Sequence, residues 1–139
     1  MDIFCKIVAG EIPCYKLYED EHLLAFLDIG PLAEGHCLIV PKRHYERLDE
    51  MTDGPGQDAL AAIARLAPRL GKAVCQAVGA TDWNLLQNNG LKAGQVVPHV
   101  HFHIIPRREG DGLGFRWPAG SLDGEQAKRL AATIGAELG

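Results

Sequence analysis

The sequence predicts an α+β fold: an antiparallel sheet of about five strands with one long helix and a C-terminal helix. Two observations carry this prediction. Short apolar runs bounded by turn residues occur before residue 41 and again after residue 82, and the stretch between them has helical periodicity. Strands bunched around one helix, instead of alternating with helices, favour an antiparallel sheet over βαβ units.

Tyr15 to Glu19 and Leu23 to Asp28 read as two short strands joined by the polar turn "EDEH". His36 to Pro41, "HCLIVP", is a third strand, entered through Gly35 and ended by Pro41. Leu60, Ile63, Ala67, Leu70, Val74 and Val78 then recur at steps of three and four, the mark of one apolar helical stripe. Gly54 and Pro55 suit the start of that helix, and Pro68 inside it should bend it or remove a hydrogen bond. Asp82 to Gln87 is a fourth strand and "HVHFHII" a fifth. The last helix carries Ala127, Leu130, Ile134 and Leu138 on one face, with Asp123 as N-cap and Gln126 three residues later. The 139 residues suit a single domain with its core over about 3–117 and a C-terminal helical extension at 118–139.

Composition narrows the function. A hydrophobic fraction of 47% and a charged fraction of 23% are ordinary for a globular domain. The net charge is −4 with both signs interspersed, so no basic surface is offered to nucleic acid or to an anionic membrane. A phosphate-bearing ligand would need a local binding device. No signal-peptide pattern and no membrane-length apolar run is seen. Cys5, Cys14, Cys37 and Cys75 form no compact framework and are expected as reduced thiols in the cytosol, with Cys37 and Cys75 in the core.

The chemistry concentrates in "GQVVPHVHFHIIP", residues 94 to 106. Along a strand, side chains alternate between faces, so His99, His101 and His103 are expected to point one way and Val100, Phe102 and Ile104 into the core. Three imidazoles on one face can bind a metal, relay protons or attack an electrophile. The preceding loop shifts the balance. Gly90, Ala93 and Gly94 allow backbone N–H groups to turn towards an anion, and Asn88, Asn89 and Gln95 add uncharged donors. A neutral imidazole beside phosphate-binding amides points to nucleophilic attack at phosphorus.

The segment "HVHFHII" resembles the His-φ-His-φ-His-φ-φ signature of the histidine triad (HIT) family, where φ is apolar. "IFCKIVAGEIP", "YEDEHLLAFLDI", "GHCLIVPKRH", "NNGLKAGQVVPHVHFHIIPR" and "GDGLGFRW" resemble further blocks of the same family in the same order, from Ile3 to about Trp117. The likeness is greatest to the bacterial Hint branch. It implies a two-layer protomer with a HIT-like fold, a homodimer, a purine nucleotide ligand and reaction at the α-phosphate through a nucleotidyl-histidine. In that resemblance His101 is the nucleophile and His103 contacts the phosphate and leaving group, while His99 and His36 support the site by hydrogen bonds. Asp28 matches the acid that holds the ribose hydroxyls. Phe4, Ile7, Phe26 and Ile29 match the apolar base pocket, and Asn88 with the backbone of Gly94, Gln95, Val96 and Val97 matches the groups around the phosphate. A slot that packs a base without reading its edges implies modest purine selectivity.

The resemblance implies a phosphoramidase-type hydrolase needing no cofactor for catalysis; the alternatives are a dinucleoside polyphosphate hydrolase and a non-enzymatic nucleotide-binding scaffold. Two positions depart from the family pattern. Val96 stands where many relatives have Ser or Thr, which removes a hydroxyl near the leaving group. Some relatives hold a structural zinc; Cys5, His44 and His99 match three of its ligands, but Asp2 replaces the fourth, a cysteine, and that weakens a site favouring sulfur.

Overall fold

The computed structural model describes residues 1–114 and 117–139; Phe115 and Arg116 of the "GDGLGFRW" block lie outside the described residues. A short helix α1 (Ile3–Val8) is followed by strands β1 (Lys16–Glu19), β2 (Leu23–Leu27) and β3 (Cys37–Pro41), the long helix α2 (Gly54–Val78), strands β4 (Asp82–Gln87) and β5 (Phe102–Arg107), and helix α3 (Gly124–Leu138). The five strands form one antiparallel sheet in the order β1-β2-β3-β5-β4. The expected α+β class is therefore the observed one.

Strand alternation explains how the sheet serves two layers. Leu23 and Ala25 of β2, Cys37 and Ile39 of β3, and Phe102 and Ile104 of β5 face α2, where they meet Ile63, Ala67, Leu70 and Val74. Leu24 and Phe26 with Leu38 and Val40 face the other way, against Phe4 of α1. The central strands β2 and β3 are thus covered on both faces, which is why they read as unbroken apolar runs instead of alternating ones. Gly71 lets α2 approach the sheet closely: a β-carbon there would stand 2.6 Å from the Trp83 ring of β4.

Helix ends follow the sequence signals. Asp53 caps α2 by accepting from Gly56 N, and Gly79, in the left-handed region at φ 73°, closes it. Asp123 caps α3 through Gln126 N, as expected. Pro68 does not divide α2: it and Ala64, whose carbonyl loses its i+4 donor, both lie on the solvent side, where water can replace the missing bond.

Two expectations are corrected. Helix α1 was not foreseen; it starts at Asp2, which caps it by accepting from Cys5 N. The last strand begins at Phe102, so His99 lies in a bend, Val100 and His101 in the irregular segment leading into the strand, and Pro106 sits inside it opposite Trp83. Edge strand β4 leaves Leu85 and Leu86 exposed, 47% and 37%.

Candidate active site

The face of the sheet opposite α2 carries a cavity of about 480 Å³. Ile3, Phe4 and Ile7 of α1 form one wall, Phe26, Leu27 and Leu38 the floor, and Asp28 and Ile29 one rim. Gly94, Val96 and Val97 form the opposite rim beside His101 and His103. A largely apolar cavity whose few polar groups, the Asp28 carboxylate and the imidazoles of His101 and His103, gather along one side suits a ligand with a flat apolar body and a polar tail. Most of the residues proposed from sequence thus meet in one place. Ile29 and Val96 stand at its mouth, 83% and 85% exposed.

The three triad imidazoles do not all face this cavity. His99 is fully buried and turned aside, its Nε2 2.8 Å from the Pro41 carbonyl. A carbonyl only accepts, so that nitrogen carries a proton, and Nδ1 faces Asp2 and Cys5. His101 is held by the backbone of His99: its Nδ1 donates to the His99 carbonyl at 2.7 Å. The Nε2 lone pair of His101 is then available, and the ring lies edge to face with Phe4, centroids 4.9 Å apart. His99 supports its neighbour through its carbonyl, and its ring does not point the same way as those of His101 and His103, as the alternation predicted it would.

His36 and His103 form a second chain. Leu32 N donates to His36 Nδ1 at 3.0 Å, so His36 carries its proton on Nε2. That nitrogen lies 2.9 Å from His103 Nδ1, with Asp28 Oδ2 more distant at 3.5 Å. His103 therefore accepts on Nδ1 and carries its proton on Nε2. The two cavity imidazoles, with centroids 4.9 Å apart, are thereby complementary: one has a lone pair at Nε2 and the other an N–H. Burial holds His101 and His36 below the ordinary histidine pKa. Burial, followed by the neighbouring His101 and His36, brings His103 down to about 4. The site is built for neutral imidazoles.

On the opposite rim, Gly94 N and Gln95 N bond within their own loop, to Leu91 and Gly90 carbonyls. Val96 N and Val97 N have no acceptor among the described residues. They are free donors at this rim. Gln95 is only 5% exposed and its side chain does not line the cavity. Asn88 does not line it either; its amide nitrogen would lie 3.5 Å from a β-carbon on Gly94. These two side chains were expected at the ligand. Sequence reasoning also missed the Leu32 N–H, the Pro41 carbonyl and α1 itself. For α1 the signal was present, an Asp before an apolar stretch with Phe4, Ile7 and Val8 at helical spacing.

Next to this cavity, Asp2, Cys5, His44 and His99 bring four donor atoms within 4.8 Å of one another. Cys5 Sγ is 3.6 Å from each imidazole Nδ1 and 3.4 Å from Asp2 Oδ2. Asp2 Oδ2 is 3.3 Å from His99 Nδ1 and 3.0 Å from His44 Nδ1. The edges of a zinc tetrahedron with ordinary bond lengths are about 3.3–3.7 Å. The buried His99 Nδ1 faces a carboxylate and a sulfur, which a cation between them would reconcile. The donor set fits zinc although Asp2 replaces a cysteine.

A domain model described as "HIT domain" matches residues 9–110. An adenosine 5'-monophosphoramidase of Schizosaccharomyces pombe is 44% identical over 137 residues, covering 98% of this chain and 97% of that one. Among solved structures, a histidine triad nucleotide-binding protein from Candida albicans superposes with a TM-score of 0.87 at 41% identity, covering 99% of this chain and 97% of the other. A Zn-bound histidine triad family protein from Mycobacterium smegmatis superposes with a TM-score of 0.72 at 37% identity, covering 98% and 94%.

The depressed histidines make a prediction about stability. Between about pH 6.5, the unfolded value, and the folded values below it, the unfolded chain binds more protons. Stability is therefore complete above about pH 6.5 and declines as pH falls towards 4, the folded value for His103. Urea unfolding at pH 7 and pH 5.5 should show this loss, and His103→Asn should reduce it. An equal slope in parent and variant would remove His103 as its source.

Proposed function

This chain belongs to the HIT domain family, and on that premise we propose that it is a nucleotide hydrolase acting at the α-phosphate of purine nucleotides, with nucleoside phosphoramidates as substrates. The observation that carries the proposal is the locked tautomer of His101, which presents a neutral Nε2 to the cavity. The similarity to an adenosine 5'-monophosphoramidase supports the substrate class.

In this reading the base packs among Phe4, Ile7, Phe26 and Ile29, and Asp28 accepts from the ribose hydroxyls. The α-phosphate meets the N–H groups of Val96 and Val97 and the Nε2–H of His103. His101 Nε2 attacks phosphorus and forms a P–N bond. The bond to the leaving group breaks, and the leaving atom takes the electron pair and a proton from water at the open mouth of the cavity. The hydroxide left by that proton transfer then attacks the same phosphorus, the P–Nε2 bond breaks with its electron pair returning to the ring, and the nucleotide leaves with His101 neutral again. Val96 has no hydroxyl to help the leaving group, so backbone donors carry that rim.

His101→Ala should retain AMP binding by calorimetry and lose turnover of adenosine 5'-phosphoramidate by several orders of magnitude, because it removes the nucleophile. Asp28→Ala should instead weaken AMP by about 1.5–3 kcal/mol, the range for bonds to a charged group. A His101→Ala protein with near-normal turnover would mean that water attacks directly. A parent protein that binds AMP and releases nothing from phosphoramidates or dinucleoside polyphosphates would be a scaffold.

The Asp2–Cys5–His44–His99 cluster would hold a structural zinc, a reading to which the Zn-bound relative lends support. No step above uses a metal-bound water. Strong chelation should lower the melting temperature and leave turnover intact at temperatures well below it. Activity that vanishes with the chelator and returns with zinc would contradict this division of labour.

A symmetric homodimer is proposed through edge strand β4, whose exposed Leu85 and Leu86 flank unpaired backbone groups. Light scattering at micromolar concentration should give twice the protomer mass of 15.1 kDa; a monomer would count against it. Four free cysteines, two of them buried, suit a reducing cytoplasm, which cell fractionation would check. Among the described residues no helix is long and apolar enough to cross a membrane.

A further inference from the structure

We propose that Gln95 is a positioning residue: its buried side chain braces the loop from inside so that Val96 N–H and Val97 N–H converge on the substrate phosphate. The inference rests on the phosphate-binding reading above and adds to it a residue that touches no ligand.

The geometry is specific. Gln95 Oε1 accepts from Gly90 N at 2.7 Å, which closes the loop on itself. Gln95 Nε2 donates to the Val97 carbonyl at 3.1 Å and to the Glu46 carbonyl at 2.7 Å. One side chain thus joins the start of the loop, its end and a neighbouring segment. The Val97 carbonyl also accepts from His99 N at 2.8 Å, so the residue bearing one free donor is held from both directions.

The neighbouring segment is itself fixed. Val100 N donates to the Tyr45 carbonyl at 2.8 Å, and Leu48 N to Asn89 Oδ1 at 2.8 Å. The loop is consequently clamped along residues 45–48 at three points, with Gln95 in the middle. Gly90 permits this close approach: its φ is +93°, and a β-carbon there would lie 3.1 Å from the Arg47 guanidinium.

A surface glutamine would bring its amide to the ligand. This one has both amide ends engaged inside the protein, and the two backbone N–H groups that follow it in sequence have no acceptor among the described residues. Preorganised donors aimed at a phosphate do not have to reorient when charge develops. Releasing the brace would leave the donors present but badly aimed.

The test compares AMP with adenosine, since only AMP has the group that the loop meets. Gln95→Ala removes both ends of the brace. The near-isosteric Gln95→Glu keeps an acceptor for Gly90 N and removes the donors to Val97 and Glu46. Calorimetry should show AMP affinity falling about tenfold in each, with adenosine affinity within about twofold of the parent, from the usual worth of buried hydrogen bonds. The turnover number on adenosine 5'-phosphoramidate should fall more than AMP affinity does. Equal losses for AMP and adenosine would reduce Gln95 to a general structural residue, and unchanged AMP affinity in both variants would overturn the proposal. If Gln95→Ala does not fold, Gln95→Glu alone decides by the same comparison. A parent protein that neither prefers AMP over adenosine nor turns over the phosphoramidate would instead defeat the underlying functional reading.

Discussion

The site depends on hydrogen bonds between imidazoles and backbone groups. The Pro41 carbonyl fixes the proton of His99, the His99 carbonyl fixes that of His101, and the Leu32 N–H fixes that of His36. Each ring nitrogen facing the cavity or the four-donor cluster has its character set by the bond on the other nitrogen. A lone pair facing the cavity, an N–H beside it and a ring turned towards the four-donor cluster arise from one residue type because the backbone offers a carbonyl in two cases and an N–H in the third.

Burial maintains the arrangement. Desolvation penalises the imidazolium form, and the pressure is greatest on His103, which also faces two other imidazoles. The cluster therefore stays uncharged near neutral pH and avoids mutual repulsion. The apolar cover comes from Phe4, whose ring lies edge to face with His99, His101 and Phe26. Helix α1 has two tasks as a result. It walls the cavity with Ile3, Phe4 and Ile7, and it contributes Asp2 and Cys5 to the four-donor cluster.

The sheet makes this division possible. One face spends its apolar side chains on α2 and on the stability of the domain. The other is free to be hollow, because α1 is only 6 residues long and leaves room beside it. The rim loop then needs its own support, having no helix behind it, and Gln95 and Asn89 supply that support from within.

Much of this was legible in the sequence. Periodicity identified the five strands, α2 and α3, and the resemblance of successive sequence blocks to one family placed His101, His103, Asp28, Phe4 and Phe26 in one site. Those features depend on local pattern, which a chain carries wherever it goes. The helical nature of residues 3–8 was obscured by brevity, since six residues display less than two turns of periodicity. The direction of His99 and the inward turn of Gln95 were not legible at all. Alternation predicts which side of a strand a residue occupies only where the strand exists, and β5 starts after His101.

By itself, the sequence determined the family, the fold class and the set of chemical groups. Tertiary structure alone decided what each group does. Pro41 lies 58 positions from the ring it fixes, and His36 lies 67 positions from His103. The proton on an imidazole is placed by whichever group the fold brings to its other nitrogen. No spacing along the chain encodes that partner, because strand pairing and loop closure bring it there.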